Sequence, residues 1–200
     1  ASTVSDTSGF LLFYTNGITV WDRTHQIMQN GENLKGHWSA SQGALIVPKP
    51  QSNTIYYIFT TDEVTNLVPG YAGMNYSIVD MSLNNGLGGI IPGNKNLPLL
   101  PTVFEKQTAV QTVDGKVAWL ITHEFGYTDF YAFKIDASGL NTDPVISKTG
   151  KSLVFTQDNL GMLKVSPSGS LVANTIGGQD IVELYHFDMN TGKLETYLTL

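Results

Sequence analysis

Short runs of β-branched and aromatic residues, each followed by a turn signal, recur along the whole chain of 200 residues. The clearest pair is Leu11–Thr15 and Ile18–Trp21, separated by Asn16-Gly17. Asn-Gly is a strong hairpin signal because both residues tolerate the positive φ angles of a type I′ turn. No segment sustains a helical period, although Thr65–Gly73 could form one short turn of helix. The pattern predicts an all-β fold.

The runs group into four copies of a four-strand unit. The second strands of these units are predicted at Leu11–Thr15, Ile55–Thr61, Val117–His123 and Leu171–Thr175. In the last three units the third strand ends in an aspartate before a glycine turn, at Asp80, Asp136 and Asp188. Such an aspartate can accept a hydrogen bond from the backbone N–H two residues on. Four-stranded units repeated in this way are typical of β-propeller blades.

We therefore predict a β-propeller with about four four-stranded blades, at about residues 1–30, 44–94, 105–150 and 161–200. A β-sandwich is the alternative all-β architecture, and the repeated closure from aspartate to glycine favours the propeller. Closed rings of four blades are uncommon, so we expect these units to be part of a larger ring. The strand aromatic residues expected in the core are Phe13, Tyr57, Trp119 and Phe133.

The composition argues against several classes of function. The chain has no cysteine, which excludes disulfides, cysteine-ligated metals and a cysteine nucleophile. It has 17 acidic and 11 basic residues, a net charge of −6, and Arg23 as its single arginine. We therefore expect no nucleic-acid partner, because nucleic-acid readers depend on arginine and positive charge. We also expect no membrane insertion, because no apolar run approaches the roughly 20 residues that span a bilayer.

Several long stretches resemble one family. They are Ser5–Gly17, Val20–Arg23, Ala44–Pro50, Tyr56–Thr60, Tyr76–Met81, Glu105–Val110, Trp119–Glu124 and Leu163–Pro167. These stretches resemble the propeller-like region of large surface and secreted proteins of the Bacteroidota. Those proteins often carry PKD-type domains and a type B sorting domain of the gliding-motility-associated class. The family often has a cysteine near the first Ser-Asp, where this chain has Val4.

The resemblance covers nearly the whole chain. It implies export by the type IX secretion machinery and a secreted, outer-membrane-associated location at the cell surface. It implies no reaction.

The pair His123-Glu124, at the end of a predicted strand, is suited to acid–base work or metal binding. No second histidine follows at the spacing that a zinc motif needs. The competing interpretation is that both residues hold the hairpin by hydrogen bonds. Asp188, Asn190 and Gly192 match the start of a calcium loop, but Thr199 stands where that loop needs an acid, so a turn is the better interpretation. We predict no catalytic residue, no metal site and no cofactor.

Aromatic residues in predicted loops are candidates for binding. Such residues can stack on sugars or form the centre of a protein interface, or they can fill the core beneath their loops. His123 and Glu124 come directly before one of these loops. The predicted ligand-binding residues are Trp38, His123, Glu124, Phe125 and Tyr127.

These observations favour a non-catalytic, adhesin-like module. It would be exported as cargo of type IX secretion and would bind a surface protein or a polysaccharide. The alternative is a polysaccharide-active hydrolase or lyase that uses a carboxylate cluster on the propeller face. The acids available for such a cluster are Glu32, Asp62, Glu63, Glu105, Asp129 and Asp158. An enzyme needs ionisable groups gathered at one place, and along this sequence they are sparse and mostly at turns, so we expect no enzyme.

Overall fold

The computed structural model describes residues 1–63, 71–153 and 156–200, and these residues form an all-β fold. Its helical segments are three short 3-10 turns, Asn84–Gly86, Thr156–Asn159 and Gly177–Gln179. The described residues contain no helix long and apolar enough to span a membrane. The short helix considered at Thr65–Gly73 lies largely outside the described residues.

The strands form four successive antiparallel sheets, which is the arrangement of a β-propeller. The chain divides into two compact units, Ala1–Pro101 and Thr102–Leu200, which we call unit 1 and unit 2. The all-β propeller fold expected from the repeated turn signals is confirmed. That the four sheets belong to a larger ring stays a prediction.

Unit 1 contains a three-stranded and a five-stranded sheet. The first sheet consists of β1 (Ser2–Ser5), β2 (Leu11–Thr15) and β3 (Val20–Asp22). The second consists of β4 (Ala44–Pro48), β5 (Ile55–Thr61), β6 (Met74–Asp80), β7 (Gly89–Ile90) and β8 (Leu97–Leu100). Phe13 and Val20 of the first sheet share a buried apolar cluster with Ile58 and Val79 of the second.

Unit 2 contains a five-stranded and a four-stranded sheet. The first consists of β9 (Gln107–Gln111), β10 (Ala118–His123), β11 (Asp129–Asp136), β12 (Gly139–Leu140) and β13 (Val145–Lys148). The second consists of β14 (Leu163–Val165), β15 (Leu171–Ile176), β16 (Ile181–Asp188) and β17 (Lys193–Thr199). Trp119 and Phe130 of the first sheet share a buried cluster with Val172 and Tyr185 of the second. The four strand aromatics expected in the core are all buried.

Two sheets have a fifth strand because the chain divides the last strand position into two short strands. Both β7 and β8 pair with β6, and both β12 and β13 pair with β11. The interruptions contain Pro92 and Pro144, and proline cannot donate a ladder hydrogen bond. The first sheet has three strands, because Ile27 and Gln29 form only isolated bridges. The four-stranded blade is therefore confirmed as the common plan, with a divided fourth strand in two sheets and isolated bridges in place of the fourth strand in the first.

The first hairpin turns differently from the expectation. Thr15 pairs with Val20, so four residues connect β2 and β3. The side-chain Oδ1 of Asn16 accepts hydrogen bonds from the backbone N–H groups of Ile18 and Thr19, at 2.9 and 2.8 Å. Gly17 has a φ of 93°, whereas Asn16 is not among the residues with positive φ. The type I′ turn is therefore wrong, because that turn needs positive φ at both central residues.

An aspartate ends the third strand of every sheet. Each accepts a hydrogen bond on Oδ1 from the backbone N–H two residues on, at 2.7–2.9 Å, and the four are Asp22, Asp80, Asp136 and Asp188. This confirms the turn predicted for the last three sheets. The first sheet escaped the sequence pattern because His25, with a φ of 64°, takes the place of a glycine in its turn.

Gly192, in the turn after Asp188, lies against the indole of Trp119. Its φ is +76°, and a Cβ there would lie 2.5 Å from Cζ3 of the ring. Gly115 has a similar φ of +69°, but its Cβ would lie 3.8 Å from the nearest atom. We expect Gly115→Ala to lower the free energy of unfolding by about 1–2 kcal/mol through the backbone alone. Gly192→Ala should lower the free energy of unfolding by about 1–3 kcal/mol more than Gly115→Ala does, because the ring of Trp119 must also move. Urea unfolding of both variants measures the difference, and equal losses would contradict the packing contact.

Candidate functional site

Polar residues collect at one end of the β9–β13 sheet. Gln107 at the start of β9 pairs with Thr122, and His123 at the end of β10 pairs with Phe130. Asp129 pairs with Lys148 at the end of β13. We call this region, residues 102–107, 122–131, 148 and 156–159, the polar end of unit 2.

Lys106 is a buried cation at the polar end. Its Nζ donates hydrogen bonds to the backbone carbonyl oxygens of Asp158 and Thr175, both at 2.7 Å. The backbone N–H of Glu105 donates to Oδ1 of Asn159 at 2.7 Å. Burial lowers the pKa of Lys106 from 10.5 to about 8, although the charges of Asp158 and Glu105 act in the opposite direction. These contacts tie the start of β9 to the 3-10 turn before β14 and to the end of β15.

His123 lies on the core face of β10, where it is 1% exposed. Its ring packs edge-on against Phe130, with 4.4 Å between the ring centres. Its Nδ1 lies 2.8 Å from the carbonyl oxygen of Glu124. Because a carbonyl only accepts, Nδ1 carries the hydrogen of the neutral ring and Nε2 is left as the acceptor. Nε2 has no hydrogen-bond partner in the part of the chain that the structure describes.

Burial lowers the pKa of His123 from 6.5 to about 4. The hydrogen bond to Glu124 raises it, the charge of Lys106 lowers it and the charge of Asp129 raises it, but burial dominates. His123 is therefore an uncharged imidazole at neutral pH.

Glu124 is a half-buried carboxylate of the polar end that accepts hydrogen bonds from two hydroxyl groups. Its Oε2 accepts the hydroxyl hydrogen of Tyr131 at 2.6 Å, and its Oε1 accepts that of Thr102 at 3.2 Å. Its backbone N–H donates to the carbonyl of Asp129 at 2.9 Å. Burial, and then the bond to Glu124, raise the pKa of Tyr131, so the phenol stays a donor. Each carboxylate oxygen has a further lone pair, so Glu124 can accept additional hydrogen bonds.

The structure separates the five predicted ligand-binding residues. Trp38 lies in unit 1, and the other four lie in unit 2. Trp38 is 78% exposed and Tyr127 is 59% exposed, so neither fills the core beneath its loop. Phe125 is half-buried with its ring centre 5.1 Å from that of Phe104, and His123 is buried. His123 and Phe125 therefore support the polar end from below, while Glu124 and Tyr127 reach its surface.

Trp38 has its own polar surroundings in unit 1. Its ring centre is 5.4 Å from that of His37, whose Nδ1 lies 3.1 Å from Oε2 of Glu63. The same Nδ1 lies 3.1 Å from the hydroxyl of Ser39. A Ser-His-acid triad needs the serine and the acid on different ring nitrogens, so this group does not form one.

Sequence reasoning missed Lys106, Tyr131 and Thr102. Tyr131 had a usable signal. In the antiparallel hairpin Tyr131 pairs with Thr122, and Glu124, two residues after Thr122, lies on the same face of the sheet. Lys106 and Thr102 had none, since their partners lie far along the chain. Among the residues that the structure describes, no three His, Asp or Glu side chains are grouped to hold a metal ion.

The buried His123 predicts a pH dependence of stability. Between about pH 4 and pH 6.5 the unfolded chain binds a proton at this histidine and the folded chain does not. Stability is therefore greater above this window and falls as the pH is lowered through it, by on the order of 3 kcal/mol. We expect His123→Phe to flatten that slope, because phenylalanine does not titrate. Urea unfolding at a series of pH values tests this, and an unchanged slope in His123→Phe would contradict it.

No family model matches the chain, and no curated protein matches it. Solved structures share its fold. One is a candidate 6-phosphogluconolactonase from Bacteroides uniformis, with a TM-score of 0.54 at 12% identity, over 99% of this chain and 53% of that one. Another is the periplasmic gluconolactonase of Pseudomonas aeruginosa, with a TM-score of 0.50 at 14% identity. The match covers 99% of this chain and 53% of that one. A third is a protein from Lactobacillus plantarum, with a TM-score of 0.51 at 14% identity. The match covers 99% of this chain and 54% of that one.

This chain spans about half the length of these structures, and at such low identity the similarity shows the fold alone. Two of the three structures are named as lactone hydrolases, so the expectation of a non-catalytic adhesin-like module and no enzyme is overturned. The hydrolase alternative is closer. The sequence did not show that Lys106 and Asp158, 52 positions apart, meet at one end of unit 2.

Proposed function

We propose that this protein is a hydrolase of sugar-derived lactones, with Glu124 as the base that activates water. The observation that carries the proposal is the half-buried Glu124 carboxylate, which the hydroxyls of Tyr131 and Thr102 hold in place. The fold supports it, because propellers of this architecture include proteins named as gluconolactonases.

Hydrolysis of a lactone requires a water that loses a proton as it attacks the ring carbonyl. Glu124 takes this proton, and the new C–O bond pushes the carbonyl electron pair onto oxygen to give a tetrahedral oxyanion. When the oxyanion collapses, the bond from the acyl carbon to the ring oxygen breaks. The ring oxygen then receives the proton from Glu124 and leaves as a hydroxyl, and the product is the open hydroxy acid.

The neighbours of Glu124 have positioning and binding roles in this proposal. Tyr131 and Thr102 keep the carboxylate in one orientation. Asp129 and Tyr127 both lie near enough to Tyr131 for their charges to raise its pKa. The carboxylate of Asp129 can accept hydrogen bonds from sugar hydroxyls, and the exposed ring of Tyr127 offers a surface for the sugar.

Export by type IX secretion, the cell-surface location and a surface-protein or polysaccharide partner stay predictions. So does a binding role for Trp38 in unit 1. Neither the fold nor the polar end bears on them, and the proposed hydrolysis does not depend on them.

The exchange of Glu124 for glutamine tests the proposed base. We expect Glu124→Gln to lower kcat for δ-gluconolactone by about 10²–10⁴-fold, because the amide cannot take a proton. The amide oxygen can still accept the bond from Tyr131, so the melting temperature should change little. Proton release above the spontaneous rate measures the activity. Asp143→Asn, at an exposed acid between β12 and β13, is the matched control and should retain the wild-type rate.

Two outcomes would contradict the proposal in different ways. If the unaltered protein does not hydrolyse the lactone above the spontaneous rate, the proposed activity is wrong. If it does and Glu124→Gln is equally active, the base lies elsewhere.

A further inference from the structure

We infer that this site takes an uncharged sugar lactone and rejects the phosphate ester of the same sugar. The inference rests on the proposed function and adds the charge of the substrate to it. The two lactonase names among the similar structures differ in this respect, since one denotes a phosphorylated substrate and the other does not.

Carboxylates outnumber ammonium groups at the polar end. The acids there are Glu105, Glu124, Asp129 and Asp158, and the cations are Lys106 and Lys148. Lys106 is 1% exposed, and its Nζ already donates to two backbone carbonyls. It is therefore not available to a ligand at the surface.

Lys148 is the accessible cation of the polar end, and a carboxylate already lies beside it. Its Nζ is 3.7 Å from Oδ2 of Asp129, and the two side chains are 77% and 13% exposed. A phosphate group that approached Lys148 would also approach the carboxylate of Asp129. It would approach Glu124 as well, because the backbone N–H of Glu124 is bonded to the carbonyl of Asp129. A phosphate dianion beside these two carboxylates is repelled, and one flexible surface lysine contributes little in return.

The polar end also lacks an arginine, the side chain that binds phosphate best. Arginine binds phosphate through two parallel hydrogen bonds, and lysine offers only a point charge. The single arginine, Arg23, already has a partner, because its Nη1 donates to the carbonyl of Gly86 at 2.6 Å. Hydroxyl groups, in contrast, donate readily to carboxylates, so the acids that repel phosphate suit a neutral sugar ring.

The test compares kcat/KM for δ-gluconolactone with that for its 6-phosphate ester. At an ionic strength of roughly 20 mM we expect a preference of about tenfold or more for the uncharged lactone, because charges act over long distances at low salt. The preference should shrink at roughly 500 mM, where the repulsion is screened. Asp129→Asn should raise kcat/KM for the phosphate ester several-fold, and Asp143→Asn should not.

Equal or higher kcat/KM for the phosphate ester would overturn the inference while leaving the hydrolase proposal intact. A selective loss of activity on the phosphate ester in Lys148→Met or in Lys151→Met, at the next exposed lysine, would also overturn it, because it would reveal a phosphate contact.

Binding of the non-hydrolysable gluconolactam and its 6-phosphate, measured by calorimetry, separates the two proposals. Binding of the neutral lactam alone, without any hydrolysis, would support the charge selectivity and refute the activity. Tighter binding of the phosphate, or binding of neither compound, would refute the selectivity.

Discussion

The aspartate turn after each third strand is the constraint on which the four sheets depend. Burial acts to raise the pKa of Asp22 and Asp80, but the hydrogen bonds from the turn outweigh it and lower the pKa. At Asp136 and Asp188 the hydrogen bonds themselves are the main influence, and they also lower the pKa. The stability that these carboxylates contribute is present above their unfolded pKa of 3.8, and it is lost as the pH falls through the lower folded values.

A turn held at a fixed residue also fixes which side chains face the core. A slip of one residue in a strand pair would move every side chain to the opposite face of the sheet. In the observed register Trp119 and His123 of β10 share the core face, and Glu124 follows on the face of Tyr131. The pair His123-Glu124, which looks like one functional unit in the sequence, therefore consists of a buried imidazole at the end of β10 and a half-buried carboxylate just beyond it.

The fold could be predicted from the sequence because its signals are local. Turn residues and alternating strands lie within a few positions of one another, so the four sheets and the core aromatics such as Phe13 and Trp119 follow from them. The same signals could not indicate that Pro92 and Pro144 interrupt the outer strands, or that Asn16 uses its side chain to close a longer turn. Those details depend on the pairing of the neighbouring strands, which the residues of the turn do not specify by themselves.

The site could be predicted only in part because its contacts are not local. Glu124 is among the residues that the sequence predicts to bind a ligand, and that stays a prediction. Lys106, in contrast, bonds to residues 52 and 69 positions further along the chain. Spacing rules cannot find such a group. All six residues of β10 are buried, so alternation along this strand does not separate His123 from residues that could contact a ligand.

Lys106 stabilises the polar end from within and, because it is buried, offers no positive charge at the surface. Burying a charge is costly unless hydrogen bonds replace its water, and here two backbone carbonyls do so. The ammonium that holds the 3-10 turn against β9 is thereby removed from the surface. The acids that surround it, Glu105 and Asp158, favour its charge and are buried with it. The carboxylates of Glu124 and Asp129 and the exposed ring of Tyr127 remain at the surface, and these are the groups through which we propose that a substrate is bound by its hydroxyl groups.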